Sequence, residues 1–108
     1  MRFFHGRRVG RTSSYRELRS VAAVDVGLQQ IQYIDCVSSA ILFDNIVWRR
    51  HKGIIDFRIT TENIRINNQP YPAMRLHIPS NHNSTGTYTC RANDVEISLN
   101  ITGGKKNY

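Results

Sequence analysis

The chain has 108 residues, two cysteines and a formal net charge of +7, a length that allows one small domain. Residues 1–20 contain six arginines and one glutamate, so this segment carries +5 and residues 21–108 carry only +2. The nearly balanced charge of the larger part argues against a nucleic-acid-binding domain. No segment approaches the roughly 18 apolar residues that a membrane-spanning helix needs.

Residues 1–20 have no sustained hydrophobic periodicity and are rich in charge, which predicts a disordered segment. We expect a solvated flank, with a binding arm for nucleic acid or glycans as the weaker alternative. Met1–Phe4 begins like a secretory signal but lacks its apolar central region. The arginine-rich, acid-poor start also fits a mitochondrial transit peptide, although a fragment that lacks its true leader is the simpler account.

Short alternating segments separated by turn formers follow from residue 21 onwards. Val21–Val26 and Gln30–Val37 are predicted strands, and in the second one Ile34 and Cys36 share the core-facing parity. Ile46–Arg50 lies between two groups of turn-forming residues and is predicted to be a strand. We expect it to be a central strand of its sheet.

The middle of the chain alternates less clearly. Ile54–Ile59 is predicted as a further strand, with the apolar residues at positions 55, 57 and 59 on one face. Ile64 and Ile66 continue a weaker alternation, which indicates a short edge strand. Asn67–Pro72 is predicted to be a loop, because two prolines so close together are not expected inside a ladder.

Three clear strands complete the chain, namely Ala73–Ile78, Gly86–Ala92 and Val95–Ile101. The polar residues between the first two are turn formers and predict a corner. The glycines and lysines of residues 103–108 predict a flexible tail. With about seven short strands and no helical pattern, residues 21–102 are expected to fold as one all-β domain, a β-sandwich.

Two cysteines and the only tryptophan lie on different predicted strands, all at the core-facing parity: Cys36, Trp48 and Cys90. The cysteines allow a single disulfide, and on their number alone two buried free thiols are an equal alternative. Around the second cysteine the chain reads Leu76-x-Ile78, then a polar corner, then Gly86-x-Tyr88-x-Cys90.

This pattern closely resembles the immunoglobulin fold family over about residues 22–102, most nearly its intermediate or second constant-type sets. The resemblance implies two antiparallel sheets joined by a Cys36–Cys90 disulfide, with Trp48 packed against the bond. It also implies that Tyr88 braces the corner through its hydroxyl group. The other implied core residues are Ile34, Leu76 and Ile78.

The chain departs from the family pattern in the corner and after Trp48. Ser84 stands where the family usually has an aspartate that pairs with an arginine, and Asn81 stands where an apolar residue often closes the core. No strand is evident directly after Trp48, and the turn at Asn93–Asp94 is short. Without the ion pair, the corner is expected to rely on Tyr88.

Catalytic and metal-binding patterns are not evident in the sequence. The histidines at positions 5, 51, 77 and 82 are scattered, and none has ligand spacing with a cysteine or carboxylate. Ser80 and Ser84 lie in the corner without a base nearby. We therefore predict a non-enzyme that uses no cofactor, metal or small-molecule substrate.

Two sequons, Asn83-Ser84-Thr85 and Asn100-Ile101-Thr102, make Asn83 and Asn100 candidate N-glycosylation acceptors. Asn83 lies in the predicted corner, and Asn100 has the outward parity on the last strand. Both positions would accommodate a glycan in a secreted protein.

The sheet that holds Trp48 and Cys90 would present four residues outward: Val47, Arg49, Arg91 and Glu96. We expect this face to bind a protein partner, homophilic or heterophilic, since such faces commonly associate. An ordinary solvated face is the alternative. No nucleic-acid partner is expected. Contact with a membrane is expected only through a part of the protein that is not in this chain.

A disulfide implies an oxidising compartment. Our first hypothesis is therefore a recognition domain of an extracellular cell-adhesion, receptor or secreted glycoprotein. The second is an intracellular structural domain of the kind found in tandem in giant muscle proteins, which resemble the same set and often lack the bond. The number of free thiols separates the two hypotheses.

Overall fold

A computed structural model describes residues 1–6, 16–18, 23–28, 30–38, 46–55, 57–79 and 84–103, which form nine strands and no helix. The strands are β1 (Arg2–Gly6), β2 (Arg16–Leu18), β3 (Ala23–Asp25), β4 (Tyr33–Val37), β5 (Ile46–Arg50), β6 (Ile59–Ile66), β7 (Gln69–His77), β8 (Gly86–Ala92) and β9 (Val95–Thr102). This is two more strands than the sequence predicts. These ranges contain no apolar helix of the length that crosses a membrane.

Two sheets face each other across the core, as in a β-sandwich. One sheet has five strands in the order β2-β1-β4-β7-β6, and the other has four in the order β3-β9-β8-β5. The predicted disulfide is confirmed, because Cys36 of β4 is bonded to Cys90 of β8 with their Cα atoms 6.5 Å apart. The bond therefore links the two sheets.

One pair of strands departs from the predicted antiparallel arrangement. β3 lies parallel to β9, in the register Val24↔Ile101, whereas the other neighbouring strands are antiparallel. The parallel pair arises because the chain leaves the five-stranded sheet after β2 and joins the edge of the four-stranded sheet beside β9. The expectation of two purely antiparallel sheets is wrong at this edge.

Apolar side chains from both sheets fill the space between them. Trp48 stacks on Phe3 with ring centroids 5.4 Å apart. Its indole nitrogen donates to the Met74 carbonyl at 2.9 Å, so burial of the tryptophan leaves its donor satisfied. The five residues expected in the core are all buried there: Ile34, Trp48, Leu76, Ile78 and Tyr88.

The prediction that residues 1–20 are disordered is wrong for β1 and β2. β1 pairs with β4 in the register Phe3↔Cys36, and Phe3 is fully buried. The sequence shows no periodic signal here, because Phe3 and Phe4 are adjacent and point to opposite faces of the sheet. Residues 7–15 and 19–22 lie outside the described residues.

The predicted strand over Ile54–Ile59 is also wrong. Of the described residues in this range, Ile59 alone lies in a strand, as the first residue of β6, and Ile54 is largely exposed. Phe57 is buried from a bend, where its ring stacks on Tyr88 with centroids 6.2 Å apart. The alternation of apolar residues at positions 55, 57 and 59 therefore reflects the burial of an irregular segment. Pairing with another strand is not needed to explain it.

The prediction of a loop over Asn67–Pro72 is wrong, because the chain makes a two-residue turn at Asn67–Asn68 and continues as a strand. Asn67 and Asn68 both have positive φ, at 53° and 65°, as a type I′ hairpin turn requires, and β7 begins at Gln69. In such a hairpin the nitrogens of the two prolines face away from β6. Pairing with β4 begins only at Ala73, so neither proline has to donate a ladder hydrogen bond.

β5 is an edge strand within the described part of the chain, and not the central strand that the sequence predicts. β8 is its neighbour in the sheet, in the register Trp48↔Cys90. Residues 39–45, which precede β5, lie outside the described ranges.

The last described residue, Gly103, is held by the fold and does not belong to the predicted tail. Its φ of 81° suits glycine, and its carbonyl accepts a hydrogen bond from Ser84 Oγ at 3.4 Å. Residues 104–108 lie outside the described residues.

Candidate recognition face

The outer face of the four-stranded sheet is defined by the side chains that alternate with the core residues. Trp48, Cys90 and Leu99 point into the core, so their neighbours along β5, β8 and β9 point outward. Along these three strands the outer face consists of Val47, Arg49, Thr87, Thr89, Arg91, Glu96, Ser98, Asn100 and Thr102.

The four residues predicted for recognition lie together on this face. Val47 is the partner of Arg91, and Arg91 is the partner of Glu96, so the three form one row across β5, β8 and β9. Arg49 follows in the next row, opposite Thr89. Side chains opposite each other across strands have Cβ atoms about 5 Å apart, so Val47, Arg49, Arg91 and Glu96 form one recognition patch.

The recognition patch is exposed, and its charges are not used by ion pairs within the described part of the chain. Val47 is 50% exposed, and the three charged residues are exposed as well. The ion pairs found among the described residues join Arg2 to Glu17 and Arg75 to two acids, and none involves the patch. The nitrogen Nε of Arg91 donates to the Asn93 carbonyl at 3.2 Å, which leaves its terminal amino groups toward solvent.

The rest of the outer face carries small polar groups. The hydroxyls of Thr89 and Ser98 are 3.1 Å apart across β8 and β9. In the next row, Thr87 Oγ1 donates to Asn100 Oδ1 at 2.8 Å. These pairs hold the polar side chains close to the sheet, so the recognition patch stands out as the part with large, charged side chains.

The corner before β8 is held by Tyr88, as the resemblance implies. The Tyr88 hydroxyl donates to the Ser84 carbonyl at 2.9 Å in a buried position. Ser84 is fully buried, and its hydroxyl donates to the Gly103 carbonyl. Asn81 and the sequon residue Asn83 lie outside the described residues.

Arg50 is a further support of the corner that the sequence does not reveal. Its nitrogen Nη2 donates to the Thr85 carbonyl at 2.7 Å. Its guanidinium also lies 5.4 Å from the centre of the Tyr88 ring and 5.9 Å from that of Phe57. Arg50 therefore supports the corner from the end of β5.

The three histidines in the described part of the chain form no metal-binding group. His77 shares a hydrogen bond of 2.8 Å with the Thr60 hydroxyl, and burial together with Arg58 and Arg75 lowers its pKa. Burial, and then the charge of Arg16, lowers the pKa of His5. Within the described ranges, no group of histidine, cysteine, aspartate or glutamate side chains could hold a metal ion. His82 and Ser80 lie outside those ranges.

The outer face of the five-stranded sheet carries a buried ion pair that sequence reasoning missed. Asp35 is fully buried and accepts two hydrogen bonds from Arg75, at 2.8 and 3.0 Å. Arg75 also lies 3.5 Å from Glu62 and stacks over Tyr33 at 3.7 Å from the ring centre. Burial raises the pKa of Asp35, against the opposing effect of Arg75.

A second apolar cluster lies beside this ion pair on the same face. Phe4, Val37, Ile64 and Ala73 are buried in it, with Ile66 and Tyr71 packed against them. The sequence signals for this cluster are the apolar residues at both parities of Gln30–Val37 and the weak alternation of Ile64 and Ile66. The five-stranded sheet is therefore apolar on both faces.

In comparisons with known proteins, no family model, no curated protein and no solved structure matches the chain. The geometry of the chain itself is therefore the basis for assigning it a function.

Proposed function

We propose that the chain is an immunoglobulin-like recognition domain of an extracellular adhesion, receptor or secreted protein, and that it binds a protein partner through the recognition patch. The observation that carries the proposal is the alignment of Val47, Arg91 and Glu96 in one exposed row, beside Arg49, on a disulfide-linked sandwich. Its work is binding and not catalysis, with no cofactor.

The strand arrangement supports an immunoglobulin-like fold. In that fold a disulfide joins strands of the two sheets, a tryptophan packs on it and a tyrosine two residues before the second cysteine bonds back to the corner. Cys36, Cys90, Trp48 and Tyr88 occupy these positions. Five strands face four here, which differs from the simplest seven-stranded form.

The disulfide supports an extracellular location. Such bonds persist in secreted and cell-surface proteins and are rare in reducing compartments. Closing the 54-residue interval between Cys36 and Cys90 restricts the unfolded chain by roughly 4 kcal/mol. An intracellular structural domain would keep two free thiols, so thiol titration of the denatured protein before reduction tests this point.

The chemistry of the patch favours a partner with an apolar spot bordered by acidic groups. Arginine is enriched at protein interfaces because its planar guanidinium forms paired hydrogen bonds and also packs on apolar surface. Arg49 and Arg91 flank Val47, and Glu96 adds one acceptor at the end of the row. The partner is a second copy of the chain or a different protein.

The basic flank gives weaker support to glycan or nucleic-acid binding. Arg2 lies 3.9 Å from Glu17 and over the ring of Phe4, so part of this charge is used within the fold. Arg7, Arg8 and Arg11 lie outside the described residues. Replacing these three by glutamine and measuring heparin and DNA retention tests this alternative without removing β1.

The main test is charge reversal in the recognition patch, compared with a matched charge reversal elsewhere on the molecule. If the domain binds a second copy of itself, beads coated with the wild-type protein should aggregate with one another. If it binds a different protein, the beads should bind to cells that display that protein. The Arg49→Glu/Arg91→Glu variant should lose this binding. The matched control, Arg58→Glu/Arg65→Glu, changes two exposed arginines elsewhere on the molecule and should keep it. Equal binding by the two variants would contradict the proposal, as would a wild type that binds nothing.

A further inference from the structure

We infer that Asn100 is an N-glycan acceptor, and that its glycan covers the end of the outer face away from the recognition patch. The inference rests on the proposed function, since only a chain that enters the secretory pathway meets the glycosyl donor. It also goes beyond that function, because it assigns a modification site and divides the face into a shielded half and a free half.

The side chain of Asn100 points away from the core. Its neighbours along β9, Leu99 and Ile101, are 0% and 1% exposed, so Asn100 between them lies on the outer face. It begins the sequon Asn100-Ile101-Thr102, in which the middle residue is not proline. The motif and the orientation are independent observations that agree.

The surface around Asn100 has room for a sugar. Its partner on β3 is Ala23, and its partner on β8 is Thr87. Two residues away along β9, on the same face, lie Ser98 and Thr102. All four side chains are small, so the first sugar can rest on the sheet at this place.

The hydrogen bond from Thr87 orients the amide. Thr87 Oγ1 donates to Asn100 Oδ1 at 2.8 Å, so the carbonyl oxygen is directed to β8 and the nitrogen Nδ2 to the other side. Nδ2 is the atom that receives the glycan. The donor is a lipid-linked oligosaccharide diphosphate. The bond from the anomeric carbon to the diphosphate oxygen breaks, a bond to Nδ2 forms, and an amide proton and the lipid diphosphate leave.

The position of the glycan leaves the patch accessible. Arg91 and Glu96 lie in the row next to the β8–β9 turn, whereas Asn100 is four residues further along β9. At the rise of a strand this is about 13 Å. A glycan at Asn100 therefore keeps partners off the Thr87 end and confines binding to the end with Val47, Arg49, Arg91 and Glu96.

Occupancy is tested by secreting the chain from mammalian cells behind a heterologous leader. With Asn83→Gln as the background, the protein should carry one glycan that peptide N-glycosidase removes, leaving aspartate at position 100 in a peptide map. Asn100→Gln and Thr102→Val should lose the glycan, and Thr102→Ser, which keeps the sequon, should retain it. A disulfide-bonded protein with unmodified Asn100 would overturn the inference.

The division of the face is tested with a second glycan. Glu96→Asn creates a sequon with Ser98, and its glycan should abolish binding of the beads, whereas Glu96→Asn/Ser98→Ala makes the same charge change without a sequon. Asn100→Gln should bind as the wild type does. Stronger binding of Asn100→Gln that Arg49→Glu/Arg91→Glu still abolishes would contradict the inference alone, because the glycan would then hinder the patch while recognition through the patch would still occur. Unchanged binding of the glycosylated Glu96→Asn protein would instead contradict the proposed function.

Discussion

The outer faces of the two sheets have opposite characters. On the five-stranded sheet, an apolar cluster that includes Phe4 and Ile64 lies beside a buried Asp35–Arg75 pair. On the four-stranded sheet, the outer face consists of small polar side chains and an exposed patch of charged residues. The two faces belong to one sandwich and share one core, so their difference does not come from the fold class.

The difference indicates which face is available for binding. Burying a charge requires a partner that compensates for the lost hydration, and Arg75 supplies it to Asp35 within the chain. The charges of the recognition patch have no such partner among the described residues and stay in water. The first face therefore contributes to stability, and the second is free to contribute to recognition.

The largest effect on stability is expected from Arg75→Met, which leaves the buried Asp35 carboxylate without its partner. Loss of one member of a buried pair costs about 3–5 kcal/mol, which urea denaturation should show. The double variant Asp35→Asn/Arg75→Met removes the stranded charge and should recover part of the loss. A single variant as stable as the wild type would mean that the pair does not matter.

Truncation of one aliphatic residue on each face compares them directly. Ile64→Ala removes methyl groups from the buried cluster and should cost about 2–5 kcal/mol. Val47→Ala removes exposed methyl groups and should change the free energy of unfolding by no more than about 0.5 kcal/mol. Similar losses in the free energy of unfolding for Ile64→Ala and Val47→Ala would mean that the two faces do not differ in their contribution to stability.

Acidification should destabilise the five-stranded side through His77. Its pKa is lowered in the fold, so its contribution to stability is present above the ordinary value of 6.5 and is lost as the pH falls through the folded value. The melting temperature should fall from pH 7 to pH 5, and less so in His77→Gln. The control is His51→Gln, since His51 is exposed. The raised pKa of Asp35 acts in the opposite sense, because protonation relieves the burial of its charge.

The smallest effect on stability is expected from Arg49→Glu/Arg91→Glu, the double variant that should have the largest effect on binding. Arg49→Glu/Arg91→Glu alters exposed side chains and should change the free energy of unfolding by no more than about 0.5 kcal/mol. Circular dichroism melts of this variant and of Arg58→Glu/Arg65→Glu should superimpose. A large drop for the first variant alone would show that the patch has a structural role.

The centre of the sandwich could be predicted because its signals are local and chemically specific. Cys36, Trp48 and Cys90 share the inward parity, and Tyr88 precedes the second cysteine by two residues. Alternation also placed Val47, Arg49, Arg91 and Glu96 on one face, although it could not show that three of them share a row. The row depends on strand register. The two-residue turn at Asn93–Asp94 sets the pairing of Arg91 with Glu96, whereas the pairing of Val47 with Arg91 depends on the register between β5 and β8.

The remainder could not be predicted, because it depends on pairing between distant segments. Phe3 is a core residue only because β1 reaches β4. The prolines of β7 are tolerated only because β4 ends beside Ala73. Asp35 and Arg75 are 40 residues apart, and nothing in their local sequence links them. Each of these features is decided by a neighbour that the local pattern does not specify.

The two short turns have a consequence for the order in which the molecule assembles. Asn67–Asn68 joins β6 to β7 and Asn93–Asp94 joins β8 to β9, and hairpins of this kind form in roughly 1–10 microseconds. The hydrogen bond between Thr102 and Val24 spans 78 residues, and such distant contacts form slowly because a long loop must first be closed. Both hairpins should thus be present before the two ends of the chain meet at β3 and β9, and the rate of folding should depend on that late encounter.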